Sequence, residues 1–335
     1  MKTICKYYYV KLHGYSYFKL NRSIEPFEND DLFKFLDLTR AQFIKFLKNI
    51  KCEEGTLTKI LFNGYDFIYM NKIIKMSVNL PPTIKIFCVS FCDWWDHSPD
   101  LKINQPDYHF YITNAFYYGS IRYIVSANYK TLGFFLNKNL EQYKKNIISW
   151  DMHSCYDNCF VNFNTNPIKK ILVSGACAEY YYPERFKLLN FKNVCQKIRG
   201  KDVWTDELAY SKYLNQYMCC FSSSVYPVSI TTSKNEHSGL ILLKTYEILG
   251  SGSLLLSPLT EKYNLSKIGL IEDVNCMFID MTDDTKIQEK IDFILDDKNR
   301  DFIDNIRKNG QDHGKTNLNS KQKYKILKEL IINSE

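Results

Sequence analysis

The stretch LILLKTYEILGSGSLLLSP, residues 240–258, places Lys244 and Glu247 one helical turn apart in otherwise apolar surroundings. At about 100° per residue, Glu247 falls between Leu240 and Leu243, Lys244 lies beside them, and Ile241, Leu242, Ile248 and Leu249 cover the rest of the surface. A carboxylate on so apolar a helix needs a partner, because an unpaired buried ion is strongly disfavoured or takes up a proton. Two kinds of partner suit it. One is an i,i+3 ion pair with Lys244, which on an exposed helix stabilises by only about 0.2–0.5 kcal/mol. The other is a ligand whose diol donates to Glu247 while a phosphate meets Lys244.

Just upstream, TTSKNEHSG (231–239) offers hydroxyls and backbone N–H groups to the start of that helix, with Ser238 as N-cap and Gly239 beside it. Such an end attracts anions through its free N–H donors and the helix dipole, although a cap that holds no ligand is the plainer reading. In the first half of the chain, CDWWDHSPD (92–100) and SWDMHS (149–154) follow apolar runs and carry groups fit for general-base work. Asp96 and His97 are the first candidates for such a base, Asp151 and His153 the next, and Trp94 and Trp95 offer aromatic faces on which a ligand can stack. The alternative for each acid is a turn or a helix cap. Cys155 and Cys159 with His153 form a lone C-x-x-x-C cluster that reads as buried thiols ahead of a metal site.

These groups need elements to position them. Residues 30–50, DDLFKFLDLTRAQFIKFLKNI, show helical spacing of apolar residues behind Asn29 or Asp30 as N-cap. Short β-rich runs follow at 65–70, 84–92, 108–113 and 122–127, and the tyrosines of YYYVKLHGYSYF read as a β-edge. Near-continuous apolar runs separated by helix-length spacers predict strands buried on both faces of a parallel sheet. The Asn-rich stretch 158–170 with Pro167 marks a domain boundary. Beyond it the spacing predicts a strand at 171–178, a helix around 185–198, a helix at 205–217 and a strand at 218–224. The helix of 240–250 follows and stops at Gly250; then come a strand near 275–280 and three C-terminal helices, the second closed by Gly310.

The 335 residues suit two domains. Hydrophobic residues make up 45% and charged residues 24%, a composition that folds. The net charge of +7 is spread thinly, which favours anionic small molecules over committed nucleic-acid binding. Eleven irregularly spaced cysteines point to a reducing compartment, and neither a signal peptide nor an apolar run of membrane-spanning length is visible, so the expected location is cytoplasmic.

The order of Lys244, Glu247, Gly250, Gly252, Gly269, Asp273, Asn275 and Gly310 resembles the C-terminal domain of GT-B glycosyltransferases of the CgeB-like, group 1 type. SGACAEYYYPERFKLL, with Gly175, Tyr182, Pro183 and Arg185, is similar to the entry into that domain, and the likeness covers roughly residues 168–312. The resemblance implies two Rossmann-like doubly wound α/β domains facing across a cleft. Residues 1–165 would carry the acceptor, 168–315 the nucleotide-sugar donor, and 316–335 a helix crossing back. It implies that Glu247 binds ribose hydroxyls and that Lys244, Ser238, Gly239, Gly175 and Arg185 serve the diphosphate of a UDP- or GDP-linked sugar. No cofactor is implied and no metal is required if side-chain cations and helix N–H groups offset the charge on the leaving diphosphate. The acceptor would be a hydroxyl of a glycan, protein or lipid, and nucleic acid is not an expected partner. The sequence departs from the family's E-x7-E pattern: eight positions before Glu247 stands Gly239, with Glu236 nearby. That leaves retention or inversion open and keeps an inactive sugar-binding or scaffold protein as the alternative.

Overall fold

The computed structural model describes residues 4–12, 23–51, 53–64, 76, 80–90, 121–125, 141, 147–151, 153–175, 177, 179, 182–197, 206–224 and 241–334. They fall into two compact units, one of Met1–Met152 with Tyr324–Glu335 and one of His153–Lys323. Each is built on an all-parallel sheet, as the apolar runs predict.

The first unit has six described strands: β1 (Ile4–Leu12), β2 (Phe33–Leu38), β3 (Thr56–Gly64), β4 (Ile84–Ser90), β5 (Ile121–Val125) and β6 (Ile147–Ser149), ordered β2-β1-β3-β4-β5-β6. The tyrosine-rich β1 is therefore not an edge; it pairs with β2 through Tyr7↔Phe33 and with β3 through Tyr7↔Lys59. Residues 30–50 are not one helix either. Phe33–Leu38 is strand β2, and helix α1 (Arg40–Asn49) starts only at Thr39, whose hydroxyl accepts from the Gln42 amide while the Gln42 side chain accepts from the Thr39 amide. That reciprocal cap decides the start, because it satisfies two otherwise orphaned donors. Asp30 instead accepts from the Leu32 amide and from Lys328. Strand β3 went unpredicted, and the runs expected at 65–70 and 108–113 lie outside the described residues.

The second unit has β7 (Ile168–Ser174), β8 (Val194–Lys197), β9 (Tyr217–Phe221), β10 (Leu254–Pro258) and β11 (Met277–Ile279), ordered β11-β10-β9-β7-β8. Successive residues divide between its faces. Leu172, Cys220, Leu255 and Phe278 pack with α3 (Glu207–Asn215) and α4 (Leu243–Ser251). Ile171, Val173, Cys219, Phe221, Leu254, Leu256, Met277 and Ile279 pack on the other side with α2 (Pro183–Leu188), α6 (Asp284–Leu295) and α7 (Arg300–Asn317). A strand with apolar residues on both faces must be covered twice, and the crossover helices of a parallel sheet do this. A short α5 (Lys262–Ser266) follows β10, and α8 (Ser320–Asn333) closes the chain.

Local geometry corrects several sequence expectations in this unit. Helix α2 ends at Leu188, and the positive φ of 64° at Asn193 turns the chain into β8, so 185–198 is not a single helix. Helix α4 passes through Gly250 and stops at Gly252, which takes the left-handed C-cap conformation at φ 76°. A Cβ on Gly250 would lie 2.1 Å from the Cys159 sulfur, so that glycine serves close packing inside the helix. Helix α7 likewise runs beyond Gly310, where a Cβ would meet the Asn275 carbonyl oxygen at 2.7 Å. The N-cap of α4 is Leu242 rather than Ser238, which lies outside the described residues.

Candidate functional site

The sheet order of the second unit has its switch point between β7 and β9: the chain leaves β7 for β8 on one side, then returns to build β9, β10 and β11 on the other. Open parallel sheets hold ligands in the crevice outside the carboxyl ends of the strands at such a point. Ser174 ends β7 with Gly175 next to it, Ser222, Ser223 and Ser224 follow β9, and Ser257 is the last residue but one of β10. The turns are bound to one another: Ser222 Oγ and Thr245 Oγ1 are 3.2 Å apart, and Ser257 Oγ donates to the Ser222 carbonyl at 2.9 Å.

Three side chains bring charge to this edge. Lys244, in the first turn of α4, donates to the Tyr210 hydroxyl of α3 at 2.7 Å and approaches Ser174 Oγ at 3.4 Å. Arg185 of α2 donates through Nη2 to the Ser223 carbonyl at 2.7 Å and lies 4.1 Å from the centre of the Tyr182 ring. Burial pulls the Arg185 guanidinium below its usual pKa, and the neighbouring Tyr182, Cys177 and Glu261 oppose that shift. Glu261, just after β10, accepts from both the amide and the hydroxyl of Ser224, the latter at 2.7 Å.

Gly175 lies where the two cations meet. Its φ is +104°, a region that side chains rarely enter, and a Cβ there would sit 3.7 Å from Lys244 Cε and 3.8 Å from Arg185 Nη1. The backbone at the end of β7 is thus bare beside an ammonium and a guanidinium. Bare backbone and two fixed cations make an arrangement suited to phosphate oxygens.

Glu247 is buried in the second turn of α4, 3% exposed. Among the described residues its hydrogen-bond donor is the Tyr156 hydroxyl at 3.1 Å, so the carboxylate and Lys244 turn to different partners rather than to each other. His153 is also buried, its ring 6.2 Å from that of Tyr246 on the same helix, and Asp151 is half-buried in the first unit. Asp96, His97, Ser238 and Gly239 lie outside the described residues. Cys155 and Cys159 are buried free thiols, Cys155 donating to the Tyr246 carbonyl at 3.3 Å. Among the described residues no three metal-ligating side chains come together.

Sequence reasoning missed Tyr210, Tyr156, Glu261 and the serines after β9. Only Glu261 carried a signal, as an acid directly after the apolar strand LLLSP; the others come from distant parts of the chain and carried none.

The chain has the two-unit parallel α/β fold, GT-B in type, of solved glycosyltransferases. An alpha-glucosyltransferase in complex with UDP-glucose and DNA containing an abasic site matches it with a TM-score of 0.62 at 9% identity, over 98% of this chain and 99% of that one. A glycosyltransferase from Rickettsia africae ESF-5 matches with a TM-score of 0.55 at 8% identity, over 98% of this chain and all of that one, 100%. No protein-family model and no curated protein sequence matches the chain. No described helix is long and apolar enough to cross a membrane.

Proposed function

We propose that the protein is a glycosyltransferase that moves a sugar from a nucleotide-diphosphate donor to a hydroxyl acceptor. The observation that carries this reading is the meeting of Lys244 and Arg185 beside the side-chain-free Gly175 at the switch point of the second sheet. The shared fold with an alpha-glucosyltransferase in complex with UDP-glucose supports the donor class, and UDP is the nucleotide of first choice.

In this reading Lys244 and Arg185 hold the diphosphate, and their charge offsets the negative charge that grows on it as the glycosidic bond breaks. Tyr210 and the Ser223 carbonyl fix the two cations before the donor arrives, so little reorganisation is needed in the transition state. Glu247 receives the ribose hydroxyls, with Tyr156 setting the carboxylate's orientation. In this reading no metal is needed, because the two cations and neighbouring N–H groups offset the charge on the leaving diphosphate. The acceptor, a hydroxyl of a glycan, protein or lipid, binds through the N-terminal unit, where Asp96, His97 and Asp151 are the candidate bases; His153, the fourth candidate, belongs to the second unit and is buried beside Tyr246. The resemblance in the C-terminal half supports the CgeB-like, group 1 type within that class.

A thermal-shift screen against UDP-, GDP-, ADP-, CMP- and dTDP-sugars tests the donor assignment. A ligand present at about 100 times its Kd adds roughly 2.7 kcal/mol of stability. One base family should raise Tm clearly above the rest, and a flat response across all five contradicts the assignment. Incubation of the responding donor with hydroxyl acceptors then separates a transferase, which releases nucleoside diphosphate, from a protein that only binds sugar nucleotides.

A further inference from the structure

Glu261 is a buried acid, 6% exposed, to which the donor reading gives no task. Both of its bonds to Ser224 end on one oxygen, Oε1, which accepts the Ser224 amide and the Ser224 hydroxyl together. The neighbouring Ser223 gives its carbonyl oxygen to Arg185 Nη2 at 2.7 Å, and the other terminal nitrogen of Arg185 faces Gly175. A continuous chain of contacts therefore runs from the end of β10, through the turn after β9, to the cation at the end of β7.

We propose that Glu261 is a positioning residue for the donor site, clamping the Ser223–Ser224 turn so that the Ser223 carbonyl holds the Arg185 guanidinium beside Gly175. The proposal rests on the donor-site reading and deepens it. Glu261 does not touch the donor; it acts through Ser224 and Arg185.

A second property follows from the same geometry. Because both bonds use Oε1, a proton placed on Oε2 leaves the clamp intact while removing one negative charge from the neighbourhood of Arg185. Burial raises the Glu261 carboxyl to about 7, against the opposing pull of the Ser224 bonds and of Arg185, the titratable group that bears on it among the described residues. A diphosphate arriving beside Arg185 adds negative charge and draws a proton onto Glu261. Donor affinity should therefore rise a few-fold as the pH falls from about 8 to about 6.

The test is calorimetric titration of the full chain with UDP-glucose, whose diphosphate is a diester with no group titrating in that range. Wild type, Glu261→Gln and Glu261→Ala are compared at both ends of the pH range, with circular dichroism confirming that each is folded. Glu261→Ala leaves the Ser224 amide without its acceptor and should weaken binding by about tenfold or more at either pH. Glu261→Gln keeps an acceptor oxygen and imitates the protonated acid, so it should match the low-pH affinity of wild type and lose the pH dependence. Folded Glu261→Ala that binds like wild type overturns the proposal while the donor reading stands, as does Glu261→Gln that keeps the wild-type slope. Wild type that binds no nucleotide sugar at any pH overturns the donor reading, and this proposal with it.

Discussion

The Lys244 ammonium sits 2.7 Å from the Tyr210 hydroxyl, while Glu247, one turn along the same helix, takes its hydrogen bond from Tyr156 at 3.1 Å. The i,i+3 ion pair that their spacing allows is thus replaced by two separate tethers. Each tether aims a charged group without neutralising it, since a tyrosine hydroxyl can accept from an ammonium or donate to a carboxylate. Tyr210→Phe removes the lysine's tether but not its charge. Donor affinity should fall a few-fold, in keeping with the net worth of about 0.5–1.5 kcal/mol for one hydrogen bond. Calorimetry on the variant checks this, and an unchanged Kd would show that the tether does not matter to binding.

The ribose role of Glu247 is tested by pairing a protein change with a ligand change. Removal of a carboxylate bonded to a sugar hydroxyl costs about 1.5–3 kcal/mol. Wild type should therefore discriminate between UDP and its 2′- or 3′-deoxy analogues, and Glu247→Gln should discriminate less. If deoxygenation costs the variant as much as wild type, Glu247 does not read the ribose.

Glu261 also predicts how stability depends on pH. Its folded-state pKa of about 7 lies above the ordinary value of 4.5, so the folded protein holds the proton more tightly than the unfolded chain. The resulting stabilisation is fully present below the unfolded-state value, and it is lost as the pH rises through about 7. A shift of this size corresponds to roughly 3 kcal/mol. Urea denaturation from about pH 5 to pH 8 should show wild type losing stability relative to Glu261→Gln as the pH rises, and parallel curves would contradict the assignment.

Lys59, 2% exposed on β3, donates to the carbonyls of Ile331, Ile332 and Ser334 at 2.9, 2.8 and 2.6 Å. It satisfies acceptors that the end of α8 would otherwise leave orphaned. Lys59→Met should destabilise the first unit by about 1–3 kcal/mol and speed amide exchange in the last turn of α8. Wild-type exchange there would show that the helix end is held by its other contacts, such as those of Leu327 and Ile331 in the core.

How much the sequence disclosed follows from where the information lies. Strands β4 and β7 and helices α3, α6 and α7 were legible because each carries its own apolar pattern. Strand β2 was not, since Leu32, Phe35 and Leu36 fit a helical stripe as well as a half-buried strand, and the pairing with β1 that decides between them is tertiary. The cap at Thr39 is readable as Thr-x-x-Gln, but Asn29 and Asp30 offer the same chemistry further upstream. Lys244 and Glu247 could be picked out because charges on an apolar helix are a local anomaly, whereas Gly175 and Arg185 could be picked out only through the resemblance carried by SGACAEYYYPERFKLL. Tyr210, Glu261 and Tyr156 could not be picked out with their roles, because the crossovers of a parallel sheet bring them together. Tyr210 is 34 positions from Lys244, Glu261 is 37 from Ser224, and Tyr156 is 91 from Glu247.

Binding of a nucleotide diphosphate by the cations beside Gly175 is the property on which the transferase assignment most directly depends. Titration of the full chain with UDP-glucose, for wild type and for Lys244→Met, measures this in one experiment. Saturable binding by wild type, weakened at least about tenfold in the variant as for loss of a charged hydrogen-bond partner, is the predicted result. Equal affinity in the two proteins would place the donor elsewhere, and an absence of binding to UDP-glucose and to the other nucleotide sugars would contradict the assignment itself.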